Sequence, residues 1–286
     1  MKSEKIGIVD VGGGFRGIYT AGVLDYCIDY NIHFDLAVGV SAGSGNLITY
    51  IAGQRGRNYQ FYTEYILREE YAGMKNFRSK KSFLDLDYIY STLSNSDGEN
   101  PLDYPAVVAN PTEFIVVATE AETGNAKYFD KSDLHQDDYS ILKASCAMPF
   151  VCQPYAVGDK LYYDGALADS IPIQKAFLLG CDRVVLLLTL PENTIMTSDQ
   201  DKKIAKHIQK EYPLVAERLE HQAENYNKGV MLAQNLAACG MLLIVAPDDT
   251  CGVSTLSRDT DALRQLYQKG YQDGVKITNF LKDNNC

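Results

Sequence analysis

Histidine is scarce in this chain, with four residues in 286: His33, His135, His207 and His221. A nucleophile that depends on an imidazole base therefore has few partners to draw on. CxxC pairs are absent, and the seven cysteines (Cys27, Cys146, Cys152, Cys181, Cys239, Cys251, Cys286) are an odd number. This argues against zinc sites and a disulfide framework, and predicts mostly reduced core thiols in a cytosolic protein. No uninterrupted apolar run approaches the roughly 20 residues of a membrane-spanning helix. The opening "MKSEKIGIVDVGGG" also lacks the apolar region and cleavage site of a signal peptide, and runs directly into a strand-like segment. Positive charge is in deficit, with 27 Lys and Arg against 37 Asp and Glu for a net charge of -10. Bulk electrostatics thus works against binding to nucleic acid phosphates or anionic lipid, so an interfacial role would have to rest on apolar contact. The expectation is a cytoplasmic chain, at most peripheral at a membrane, with no nucleic acid partner.

What is present is a large apolar fraction, 46%, enough for one large domain or a domain with a smaller appendage. Short runs rich in β-branched residues recur at "KIGIVDV", "FDLAVGV", "EFIVVAT", "RVVLLLTL" and "MLLIVAP". Continuous rather than alternating apolarity predicts strands covered on both faces. The segment after the first glycine cluster can place Ile18, Ala21, Leu24 and Ile28 on one helix face. Strand, helix and strand in this order predict a three-layer α/β/α fold with a mostly parallel central sheet. From about 57 to 90, aromatics interleaved with charges predict a helical cover whose rings pack on the sheet rather than line an acyl groove. Beyond about 197 the chain is more polar and helical. The expected division is a larger α/β domain over 5–195 and a helix-rich C-terminal extension over 196–286, packed on the same domain.

Three motifs carry chemistry. In "DVGGGFRG", Gly12, Gly14 and Gly17 fit GxGxxG between a strand and a helix. Backbone N–H groups there can cradle a phosphate or a developing oxyanion. A dinucleotide fold needs an acidic residue at the end of the second strand; that strand, "FDLAVGV", ends in Ser41, and Asp35 lies at its beginning. The second motif, "GVSAG" (Gly39 to Gly43), fits the GxSxG nucleophile elbow, with small residues around Ser41 to permit a strained strand-to-helix turn. Only 24 positions (41 minus 17) separate Gly17 from Ser41, room for one helix and one short strand. Both motifs must then follow adjacent strands, and the ordinary α/β-hydrolase topology is excluded. The third motif is "YYDGALADS", with Asp164, Gly165 and Ala166 after the strand-like "KLYY". Taken alone, an Asp-Gly pair is usually a turn.

In this order the three motifs resemble the patatin-like phospholipase family, and the resemblance spans roughly Ile6 to Leu190. "ASCAMPF" is similar to the family's ASxAxPxxF segment, and "DSIPIQKAFLLGCDRVVLLL" to the helix and strand that follow its aspartate. Two positions depart from the pattern: Ser170 stands where asparagine is common, and Phe150 directly follows Pro149. The resemblance implies a serine lipid acyl hydrolase acting on carboxylic esters of phospholipid, lysophospholipid or a related lipid, with no cofactor and no metal. It implies a dyad in which Ser41 attacks and Asp164 takes its proton, without histidine. N–H groups in Gly12, Gly13 and Gly14, helped by that of Ala42, would hold the oxyanion. Arg16 either lies near a substrate phosphate or pairs with a carboxylate to orient the loop, and the pairing is favoured. The histidines look incidental, although His207 or His221 would complete a Ser, Asp, His order and make a triad esterase the rival mechanism. A nucleotide- or phosphate-binding regulatory module using the glycine loop is the rival from another class, and an acyl-binding pseudoenzyme a third.

Overall fold

The five apolar runs form the parallel heart of one sheet in the computed structural model, which describes residues 4–282; Cys286 and residues 1–3 lie outside the described residues. The strands are β1 (Ile6–Asp10), β2 (Leu36–Val40), β3 (Glu113–Glu120), β4 (Ala126–Asp130), β5 (Tyr155–Val157), β6 (Lys160–Asp164), β7 (Arg183–Leu187) and β8 (Leu242–Val245). Strands β3, β2, β1, β7 and β8 lie side by side in that order, all parallel. Every residue of β2 and β7 is buried, as expected for strands covered on both faces. The sheet then turns antiparallel through β4, β5 and β6. β4 and β5 are short with half-exposed residues, and no apolar run marks them.

The helices are α1 (Ile18–Asp29), α2 (Ala42–Ile51), α3 (Arg57–Thr63), α4 (Met74–Lys80), α5 (Tyr104–Ala109), α6 (Ser140–Cys146), α7 (Ile173–Leu178), α8 (Asp199–Ile208), α9 (Pro213–Ala238), α10 (Thr260–Asp273) and α11 (Val275–Lys282). Successive strand residues point to opposite faces, and the two cores follow that alternation. Ile8, Ala37, Val116 and Val185 pack with Leu24, Leu47, Ile141 and Leu266 from α1, α2, α6 and α10. Val9, Val38, Val117 and Val184 pack on the other face with Ile173 from α7 and Val230 from α9. The result is the three-layer α/β/α arrangement that the sequence predicts.

Helix α1 is buried on more than the one face expected of it, because α10 covers its outer side. A Cβ on Gly270 would stand 1.9 Å from Tyr19 O, and one on Gly22 would stand 2.2 Å from Tyr267 O. Only helices stripped of side chains at the crossing can approach so closely. Tyr19 OH donates to Asp273 at 2.6 Å and Tyr267 OH to Asp25 at 2.7 Å across the same contact. The stretch beyond 196 thus supplies both β8 to the sheet and α10 to its outer layer, along with the helical part expected there. The aromatic segment forms short pieces: α3, α4 and a π-helical turn at Tyr88–Thr92. Phe61, Tyr62, Tyr65 and Tyr71 are buried in the main core, which is the packing role expected of them. Of the cysteines, Cys27, Cys152 and Cys181 are buried, whereas Cys239 is exposed; the six described ones are unpaired.

Candidate active site

Parallel strands deliver the loops at their C-terminal ends to one edge of the sheet. β1 and β2 are adjacent, so the glycine loop after Asp10 and the turn at Ser41 meet there. Ser41 has φ 54° and ψ -133°, a conformation that costs a non-glycine residue of order 1–3 kcal/mol and is held only by its surroundings. Those surroundings are visible. Ser41 N–H donates to Ser145 Oγ at 2.8 Å, and Ser41 O accepts from Ser44 N at 2.9 Å and Ser44 Oγ at 2.7 Å. Ser145 Oγ in turn donates to Val117 O at 2.6 Å, so one buried hydroxyl stands between β2 and β3 where their ladder ends.

That opening admits β6. β4 pairs with β3 over Ile115–Thr119, and β2 pairs with it as far as Val117. β6 joins at Ala118, opposite Asp164. A strand has two edges, so β6 must occupy the edge that β2 vacates, which puts Asp164 beside Ser41. Ser41 Oγ donates to Asp164 Oδ2 at 2.6 Å, and Asp164 Oδ1 accepts from Ala166 N at 2.9 Å. The backbone of Asp164 is tied to Ala147 O and Thr119 Oγ1. Asp164 is buried, and burial pushes its carboxyl up to about 6 even though the Ser41 and Ala166 hydrogen bonds pull the other way.

The glycine loop faces this pair. Gly12, Gly13 and Gly14 all have positive φ (68°, 127° and 59°), which glycine adopts without steric penalty. Gly12 lies against the elbow, where an added Cβ would stand 2.4 Å from Val40 O and 3.0 Å from Ala42 N. Its own N–H donates to Asp10 Oδ1 at 3.0 Å, so of the three glycine N–H groups expected to face a substrate oxygen, that of Gly12 is engaged inward. Among the described residues, Gly13 and Gly14 N–H have no such partner. Ala42 opens α2, where first-turn N–H groups have no acceptor within the helix. The remaining motif positions act by close packing: Gly17 against Tyr62, Gly39 against Ser44, Gly43 against Asp10 and Gly165 against Val117. Ala166 supplies the N–H on Asp164 already noted.

Arg16 requires a correction. The sequence favours a carboxylate partner, but its Nη1 donates to Thr255 Oγ1 at 2.8 Å and its Nε is buried without a partner among the described residues. No carboxylate pairs with it among the described residues, and burial lowers its pKa. Among the described residues no histidine hydrogen-bonds to Ser41 or Asp164. His207 and His221 are exposed on α8 and α9, their Nδ1 atoms near Lys203 O and the Glu224 carboxylate, and His33 and His135 are exposed too. Phe150, at φ 70°, is exposed and lies 6.2 Å from His207 between ring centroids, while Ser170 is buried.

Sequence reasoning gave no role to Ser145, Asp10, Thr189 or Thr255. Ser145 stood in plain view within "ASCAMPF". Asp10 is an acid within an apolar strand run, fully buried and raised to about 6 by burial, and such a residue signals a specific partner. Thr255 O accepts from Phe15 N at 3.0 Å, a contact made by a loop some 240 residues away that no local pattern reveals.

The family model for patatin-like phospholipase matches residues 11–177 of this chain. The chain belongs to that family. A second model, for a domain of unknown function, matches residues 212–284. The chain is 28% identical to the uncharacterized protein YjjU of Escherichia coli over 207 residues, covering 71% of this chain and 57% of the relative. It is 24% identical to the lysophospholipase NTE1 of Debaryomyces hansenii over 198 residues, 65% of this chain and 12% of the relative. The chain thus spans a little over half of the bacterial relative and a small part of the fungal one. Among solved structures, VipD from Legionella pneumophila is similar over 96% of this chain and 67% of its own, at 12% identity and a TM-score of 0.47. No helix among the described residues is long and apolar enough to cross a membrane.

Proposed function

We propose that the chain is a serine lipid acyl hydrolase working through a Ser41–Asp164 dyad, with phospholipid, lysophospholipid or a related lipid ester as substrate. The observation that carries this reading is the 2.6 Å hydrogen bond from Ser41 Oγ to a buried carboxylate at a strained turn. A carboxylate near 6 is a stronger base than an ordinary aspartate, yet remains ionised at neutral pH.

Ser41 Oγ attacks the ester carbonyl carbon as its proton passes to Asp164 Oδ2. The carbonyl π electrons move to oxygen, and N–H groups of Gly13, Gly14 and Ala42 receive that charge at the N-terminal end of α2. Gly12 we assign to holding the loop rather than the oxyanion. The tetrahedral adduct collapses, the ester C–O bond breaks, and the leaving alcohol takes the proton from Asp164, leaving an acyl-enzyme. Water then attacks the acyl carbon and gives its proton to Asp164. Collapse releases the carboxylic acid, and the proton returns to Ser41 Oγ. Each half-reaction uses the same carboxylate as acceptor and then donor, so no histidine is needed.

Hydrolysis of short-chain p-nitrophenyl esters tests this. Ser41→Ala and Asp164→Ala should abolish turnover, whereas His207→Ala and His221→Ala should not. Full activity in Asp164→Ala would sink the dyad, and loss in a histidine variant would revive the triad.

A further inference from the structure

We propose that Thr189 is a positioning residue for this reaction: its hydroxyl holds the Gly12–Gly13 peptide in the orientation that presents Gly13 N–H to the oxyanion. The inference rests on the hydrolase reading above and deepens it.

The strand register brings the two together. β1 and β7 pair in parallel up to Asp10 opposite Leu187, and the last backbone bond between them is Val11 N to Leu187 O at 3.3 Å. Two residues beyond that register, Thr189 stands beside Gly12. There a side chain replaces the ladder: Thr189 Oγ1 donates to Gly12 O at 2.6 Å, and Thr189 is buried. The contact is close enough that a Cβ on Gly13 would stand 2.3 Å from the same hydroxyl oxygen.

The chemistry follows from peptide geometry. Across a trans peptide, the carbonyl of one residue and the N–H of the next point in opposite directions, and no peptide in the described chain is cis. β1 has β7 on one side and β2 on the other. With Gly12 O drawn towards the β7 side, Gly13 N–H is turned towards the β2 side, where Ser41 ends its strand. Three consecutive glycines with positive φ have little torsional preference of their own, so this peptide keeps its orientation only if something outside the loop holds it. Asp10 holds the preceding peptide through Gly12 N–H, and Thr255 holds the following turn through Phe15 N–H. Thr189 is the tether on the peptide between them.

Thr189→Val keeps the side-chain volume and removes the donor, and Thr189→Ser keeps the donor. Rates are measured on p-nitrophenyl butyrate and normalised to the serine titratable by a fluorophosphonate. Thr189→Val should lower kcat about tenfold to a hundredfold, the ceiling being the loss of one oxyanion donor, while KM changes by less than about threefold. Affinity for a trifluoromethyl ketone, which forms a tetrahedral adduct on the serine, should fall by the same factor as kcat/KM. Thr189→Ser should recover most of both. Should Thr189→Val fail to fold, Thr189→Cys, a weaker donor of similar size, takes its place with a smaller loss in the same direction. A normalised kcat and ketone affinity equal to wild type would overturn the proposal, because a hydroxyl that merely satisfies a buried carbonyl would lower only thermal stability. Failure of the wild type to react with the fluorophosphonate is a different outcome and strikes the hydrolase reading itself.

Discussion

Replacing Asp164 by asparagine should inactivate the protein and stabilise it, by an amount that depends on pH. Asp164 sits near 6 in the folded chain against 3.8 when unperturbed, chiefly because burial disfavours its charged form. A folded pKa above the unfolded one means that the folded state holds the proton more tightly. The stability this confers is present in full below about 3.8 and is lost as pH rises through about 6. The ionised carboxylate therefore costs the fold about 3 kcal/mol at neutral pH. Asparagine keeps an acceptor for Ala166 N–H and carries no charge. Asp10 is also near 6, but it is present in both proteins and cancels from the comparison. Thermal unfolding followed by circular dichroism should give near-equal midpoints at about pH 4 and a variant more stable by on the order of 5 °C above about pH 7. A gap that is the same at every pH, or a variant less stable at neutral pH, would show that Asp164 is not a buried acid stabilised by its proton.

Other expectations follow from the same geometry. The rate constant kcat/KM should rise with pH through about 6 and then level, since Asp164 must be ionised to accept the Ser41 proton; a pH-rate profile flat from about 5 to 8 would count against it. Ser145→Ala strands the Ser41 N–H and the Val117 carbonyl together, and should cost about 2–4 kcal/mol in denaturant unfolding while lowering turnover. Gly43→Ala places a methyl 2.3 Å from Asp10 O, so the elbow must shift; a loss of about 1–3 kcal/mol and of most activity is expected, and an unchanged melting curve would contradict it. Arg16→Gln removes a half-buried cation that has no carboxylate partner among the described residues, and should change stability by less than about 1 kcal/mol, because the lost Thr255 hydrogen bond is offset by relief of desolvation. It should lower turnover of phosphate-bearing lipids more than of neutral p-nitrophenyl esters if that guanidinium meets the head group.

Much of the fold was legible in the sequence for a definite reason. Strands buried on both faces leave continuous apolar runs, and all five such runs became the parallel part of the sheet. β4 and β5 were not legible, because half-exposed strands of three to five residues leave too little pattern. The burial of α1 on its outer face also escaped notice, since the helix that covers it lies about 240 residues away. At the candidate site, the order of the three motifs singled out Ser41 and Asp164, which the fold brings within hydrogen-bond distance, and the spacing of the first two motifs excluded the ordinary hydrolase topology. The tethers were not found. Ser145, Thr189 and Thr255 act on backbone groups from helix α6 and from loops distant in sequence, and placement of that kind is written in the folded chain alone. Arg16 was misjudged because loop arginines usually meet an acid, and here the chain brings a threonine hydroxyl instead.

The dyad is tested most directly by mass spectrometry of the protein quenched during turnover of a slow p-nitrophenyl ester, in the wild type, Asp164→Ala and the His207→Ala, His221→Ala double variant. The wild type and the double histidine variant should carry the acyl group on Ser41 to the same extent, and Asp164→Ala should carry none. Acylation of Ser41 that persists without Asp164, or disappears with the histidines, would contradict activation of Ser41 by Asp164.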